Sequence, residues 1–125
     1  MATIKSYTDL QQSRKLAEIL PLESADGCWK GTTNLLAANT TFWLYTKYIK
    51  GKGIPAWSLA ALLNIIPKHI KDYNVLRIDI SENDTSIWYD EIGYGVNNNL
   101  PDITMEYTVD ACYEMILKLH ELNLL

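Results

Sequence analysis

Val75-Leu76-Arg77-Ile78-Asp79-Ile80, then Ser81-Glu82-Asn83-Asp84-Thr85, then Ser86 through Ile92, is the stretch that decides the fold. In its first part Leu76, Ile78 and Ile80 face one way and Arg77 and Asp79 the other, because successive side chains of a strand point to opposite faces. The middle part has turn chemistry, and Ser86–Ile92 reads as the next strand. Links this short join strands antiparallel. Downstream, Gly93 to Asp102 is a loop carrying two glycines, three asparagines and Pro101. Ile103, Met105 and Tyr107 then alternate with Thr104 and Glu106 as a last strand.

Helices flank this meander. Val109 to Leu122 places Cys112, Met115, Ile116, Leu119 and Leu122 on one face, with Asp110 in the first turn. Near the start, Thr8 and Gln11 fit a capping box, and Leu10, Leu16, Ala17, Ile19 and Leu20 make an apolar stripe that Pro21 ends. Pro55 suits the first position of a helix running from Ala56 to Ile66, apolar nearly all round and closed by Pro67. Thr41–Ile49, rich in β-branched and aromatic residues, reads as a strand ended by the turn Gly51-Lys52-Gly53. Residues 27–40 read as a strand near Leu35 or an irregular loop. The sum is one α+β domain over residues 1–125, in two layers: an antiparallel sheet of about four strands flanked by three helices.

Length and composition set outer limits. A chain of 125 residues, 48% hydrophobic and 21% charged, has the make-up of one globular domain. It is not a multidomain enzyme or a disulfide-stapled miniprotein. Cys28 and Cys112 read as two buried free thiols. The longest apolar run, Ala56–Ile66, is about half of the ~20 residues a membrane helix needs. Met1–Lys15 has no apolar leader core, so the expected compartment is the cytoplasm and no membrane partner is expected.

Nothing in the sequence is arranged for catalysis. Cys112 and His120 are eight positions apart on one helix, about 12 Å along its axis, too far for one metal ion. His69 stands between Lys68 and Lys71, which repel a cation. Gly51-Lys52-Gly53 is only a fragment of a phosphate loop. Asp90 and Glu91 point to opposite faces of their strand, and the pair Glu106 and Asp110 has no cleft to serve. No catalytic residue, cofactor or metal is therefore expected; a hydrolase or transferase using Cys28 or His69 is the weakest of three readings.

Charge is more informative. From Gly27 to Lys71 there is no acidic residue, and Lys30, Lys47, Lys50, Lys52, Lys68 and Lys71 give a local charge of +6, whereas Asp72–Leu125 carries eleven acids against Arg77 and Lys118. Either the two segments offset each other within the fold, or the basic face meets an acidic face of another copy, or Trp29, Trp43, Tyr45, Tyr48 and Trp57 among the lysines stack on nucleic acid. Four tryptophans and eight tyrosines against one phenylalanine suit interfaces. The candidate interaction surface is Trp43, Tyr45, Lys47, Lys50, Lys52, Trp57 and, in the Gly/Asn-rich loop, Tyr94.

Three helical segments, Tyr7–Asp26, Pro55–Pro67 and Asp110–Glu121, resemble a family of small uncharacterised proteins from Bacteroides-type gut bacteria, often in phage or mobile-element settings. The resemblance covers about half of the chain and implies no activity and no catalytic residues. The expected function is a non-enzymatic accessory protein that binds another protein or itself; the alternative is a nucleic-acid-binding accessory protein using the segment 29–71.

Overall fold

The first half of the chain folds around Trp57, whose side chain has no exposed surface. The computed structural model describes residues 5–34, 39–49, 51–71, 74–91, 95–96 and 99–125. They form an α+β fold with three α-helices. The strands divide between two antiparallel sheets rather than the one predicted. The chain separates into two units, Tyr7–Ala61 and Leu62–Leu125, the latter including Met1–Ser6.

In the first unit, α1 (Leu10–Ile19) starts one residue later than predicted. Asp9 is its N-cap: the carboxylate accepts from Gln12 N at 2.8 Å, and Gln12 Oε1 accepts from Asp9 N at 3.0 Å. Thr8 does not cap because its hydroxyl is used elsewhere, accepting from Trp57 N at 3.1 Å and lying 2.8 Å from Ser13 Oγ. Leu16 and Leu20 are buried, and Leu20 is extended ahead of Pro21 as expected. A 3₁₀ turn (Leu22–Ser24) leads into β1 (Gly27–Asn34), which pairs antiparallel with β2 (Asn39–Tyr45) on one side and β3 (Ile54–Ala56) on the other. The strand predicted over Thr41–Ile49 thus ends at Tyr45, and the uncertain 27–34 stretch is a strand.

Pro55 is the main local correction. It lies in β3 opposite Cys28, and α2 (Leu59–Ile65) begins four residues later. Proline's fixed φ and missing N–H suit an edge strand as well as a helix start. The choice is made by Asp26 and Ser58. Asp26 accepts from Ser58 N at 2.8 Å and from the Ser58 hydroxyl, while Ser58 Oγ accepts from Ala61 N at 3.1 Å and so caps α2. Replacing Asp26 with alanine is expected to lower stability by about 1–2 kcal/mol, with asparagine recovering part; urea midpoints of the two variants check this.

The second unit is organised on β6 (Thr85–Glu91). β5 (Asn74–Ile80) pairs with it through seven residues, and β8 (Ile103–Met105) and β7 (Gly95–Val96) pair with its other side. β4 (His69–Ile70) pairs with β5 at the far edge. Thr85, Ile87 and Tyr89 alternate into the interior, as does the face of α3 (Thr108–Glu121) that carries Cys112, Met115, Ile116 and Leu119. Two predicted core residues are exposed instead: Ile80 lies at the end of its strand beside the turn, and Leu122 caps the helix beyond its last turn. The Gly93–Asp102 loop lies partly outside the described residues. No helix among the described residues is long and apolar enough to cross a membrane.

Burial also fixes a pH dependence. The Cys112 thiol is pushed up from 9.0 to about 11, mainly by desolvation and against the opposing charge of Lys68. Desolvation likewise raises the Tyr89 phenol, which donates to Pro67 O at 2.6 Å. Both groups are neutral in the fold and ionise first in the unfolded chain. The Cys112 contribution is therefore full below about pH 9 and is lost as pH rises toward 11, and that of Tyr89 begins to fall above its ordinary value of 10.0. Urea midpoints across this range are expected to hold level to about pH 9 and then fall.

Candidate interaction face

Opposed residues of antiparallel strands share a face. The register Cys28↔Tyr45, Trp29↔Leu44, Lys30↔Trp43 and Gly31↔Phe42 therefore sorts the first sheet into two sides. One holds Trp29, Gly31, Phe42, Leu44, Ile54 and Ala56. Part of it is covered by α1 and the chain before it: the Arg14 guanidinium lies 5.6 Å from the Phe42 ring centroid, and Trp29 Nε1 donates to Thr8 O at 3.1 Å, while Leu44 stays exposed. The Phe42 ring in turn lies over Gly31, where a Cβ would come within 3.0 Å of it.

The other side holds Cys28, Lys30, Trp43, Tyr45 and Pro55. Cys28 is buried, its thiol donating to Lys47 O at 3.6 Å where the chain after β2 crosses the sheet. Beyond that crossing the face is open: Trp43 is 57% exposed and Tyr45 47%. Lys30 Nζ lies 4.7 Å from the Tyr45 ring centroid, a cation–π contact worth about 0.5–1 kcal/mol at an exposed site. Lys47 and Lys52 are exposed, as is Ile49 between them. The ion pairs among the described residues are Lys5–Asp110, Lys15–Glu18, Arg77–Asp90 and Lys118–Glu121. Each draws on residues outside 27–71, so among the described residues Lys30, Lys47 and Lys52 meet no carboxylate.

Of the sequence-derived surface, Trp43 and Tyr45 share one face, which adds Lys30, and Lys47 and Lys52 are exposed on the chain that follows β2. Lys30 was legible in principle, since strand alternation puts it beside Trp43 once 27–34 is taken as a strand. Trp57 is a correction: it is fully buried, with its indole donating to Ser24 Oγ at 2.9 Å. It belongs in sequence to the lysine-bearing segment 29–71, but its neighbours in space are Thr8 and Ser24. Lys50 and Tyr94 lie outside the described residues.

His69 lies at an open apolar groove of about 420 Å³ with Leu63, Lys68, Val75, Leu76 and Ile78. The Lys68 ammonium is held by the carbonyls of Leu63 and Ile66. A second cleft of about 380 Å³ holds Asp102, Lys118 and Glu121 among Leu100, Pro101 and Leu122. The raised Cys112 thiol is a poor nucleophile. Among the described residues no group of three or more His, Cys, Asp or Glu side chains could hold a metal ion. No family model, curated protein or solved structure matches the chain.

Proposed function

We propose that this chain is a non-enzymatic interaction protein, an accessory of a bacterial or mobile-element system, whose working surface is the open aromatic face of the first sheet. The observation that carries this is the pair of rings at Trp43 and Tyr45, about half exposed on one face, whereas Trp29 and Phe42 on the opposite face pack against α1 and the chain before it. Tryptophan and tyrosine on a surface are the usual anchors of protein recognition, because each presents a large rigid area with a polar handle at little cost in conformational entropy. The lysines beside them suit a partner of negative charge.

The test compares wild-type and Trp43→Ala/Tyr45→Ala chains as immobilised baits, with light scattering on both in solution. The expected result is a partner, or a second copy, held by the wild type and lost by the variant at a cost of at least about tenfold in affinity. A partner held equally by both baits contradicts the proposal.

A second reading rests on the same rings and lysines, as a stacking platform for single-stranded nucleic acid. Filter binding with an oligothymidylate at low salt tests it; that reading expects retention that falls steeply as salt is raised.

A further inference from the structure

Two patches of this chain combine exposed apolar surface with charge of opposite sign. The first is the open face of the first sheet. Lys30 stands opposite Trp43 in the register, with its ammonium 4.7 Å from the Tyr45 ring centroid. The chain that crosses this face at Cys28 goes on to the exposed Lys47, Ile49 and Lys52.

The second patch is the turn between β5 and β6. Ile80 is 65% exposed there, against 57% for Trp43. Its surroundings are carboxylates: Asp79 precedes it, Glu82 and Asp84 belong to the turn, and Glu106 follows Met105, which pairs with the Thr85 that stands opposite Ile80. All four acids are exposed, and none enters the ion pairs of the described residues. The turn is preformed: Ser81 N donates to Asp84 O at 2.9 Å, and the Ser81 hydroxyl donates to Asp84 Oδ1 at 2.8 Å.

We propose that the open face of one copy receives the Ile80 turn of a second copy, so that the chain recognises itself head to tail. This rests on the aromatic face being the interaction surface and names its partner. A lone exposed isoleucine is ordinary. Ile80 is distinguished by its acidic surroundings and by a patch on the same chain that matches it in both respects. Seating it against the Trp43 and Tyr45 rings removes apolar area from water on both sides. The same contact brings carboxylates beside the ammonium groups of Lys30, Lys47 and Lys52.

Charge also decides the arrangement. Two faces laid together would oppose lysine to lysine, and two turns would oppose carboxylate to carboxylate, so like-charge repulsion disfavours both symmetric pairs. The remaining contact is heterologous. Each copy in a pair keeps one unused patch, and assembly continues past the dimer. A polynucleotide would meet the same lysines and rings, but it would approach a chain whose net charge is −4 and would leave the Ile80 turn uncovered.

The experiment is sedimentation equilibrium of the full chain over a range of concentrations, at low and high salt. The expected result is reversible association past the dimer that weakens as salt is raised. Lys47→Glu/Lys52→Glu and Asp79→Lys/Glu82→Lys are each expected to weaken it at least about tenfold alone. An equimolar mixture of the two is expected to regain it, because the intact turn of the first meets the intact face of the second; that regain also shows that both variants are folded. Ile80→Ser and Trp43→Ala are each expected to weaken it by a similar factor. Loss in both charge variants with no regain on mixing overturns the head-to-tail contact, as does association that stops at a dimer. A wild type that stays monomeric overturns self-recognition; the bait comparison above then decides separately whether the aromatic face has another partner, and salt-sensitive retention of oligothymidylate by that monomer assigns the face to nucleic acid. Self-association left at full strength by Trp43→Ala contradicts both this proposal and the reading on which it rests.

Discussion

Trp57→Ala is expected to lower the stability of the chain by about 3–5 kcal/mol, while Trp43→Ala changes it by no more than about 0.5 kcal/mol. The two residues are chemically identical and lie 14 positions apart, so the difference measures environment alone. Trp57 is completely buried. Its indole donates to Ser24, its backbone N–H donates to the Thr8 hydroxyl, and its carbonyl accepts from Thr8 N. Alanine leaves a cavity of ring size and strips the Ser24 hydroxyl of a partner. Trp43 is 57% exposed and packs on one side only. Urea denaturation followed by circular dichroism reads both values. Comparable losses for the two variants would mean that the Trp43 ring is part of the core.

Gly53→Ala is expected to cost about 2–3 kcal/mol and Gly51→Ala about 1 kcal/mol. Both glycines have positive φ, +77° for Gly53 and +83° for Gly51, where a side chain is disfavoured whatever the space around it. The two differ in what a Cβ would meet. At Gly51 nothing lies within 4 Å, whereas at Gly53 the Trp29 carbonyl oxygen would be 2.6 Å away. That oxygen belongs to β1 and cannot move without disturbing the pairing with β3. The extra loss at Gly53 thus isolates the collision from the backbone conformation. It is also expected to disturb the open face, since Lys30 lies against the same position. Equal losses at the two sites would contradict the close approach.

How far the sequence reveals this depends on range. The alternation of Val75–Ile80, the turn after it and the strand that follows are local patterns, and they appear as β5 and β6 within a residue or two of the expected bounds. The apolar stripe of α3 is equally local. β1 was hidden because glycines at 27 and 31 weaken strand propensity. Gly31 is there for a contact with Phe42, eleven positions on, that no local window contains. Pro55 misled for a related reason: its φ suits two structures, and Asp26, far upstream, chooses between them through Ser58. The candidate surface follows the same rule. Trp43 and Tyr45, two apart in one strand, were legible as a pair on one face. Trp57 is grouped with them because it lies in the acid-free segment that carries the lysines, and only Thr8 and Ser24 reveal that it is interior.

The most direct test of the open face is the solvent isotope shift in ¹⁹F NMR of the chain labelled with 5-fluorotryptophan, recorded in H₂O and in D₂O. The four tryptophans give four resonances, each assigned by its Trp→Phe variant. The expected result is a clear shift of the Trp43 resonance with Trp57 unmoved, because Trp43 is 57% exposed and Trp57 is fully buried. A Trp43 resonance as insensitive to the solvent as that of Trp57 would contradict the account.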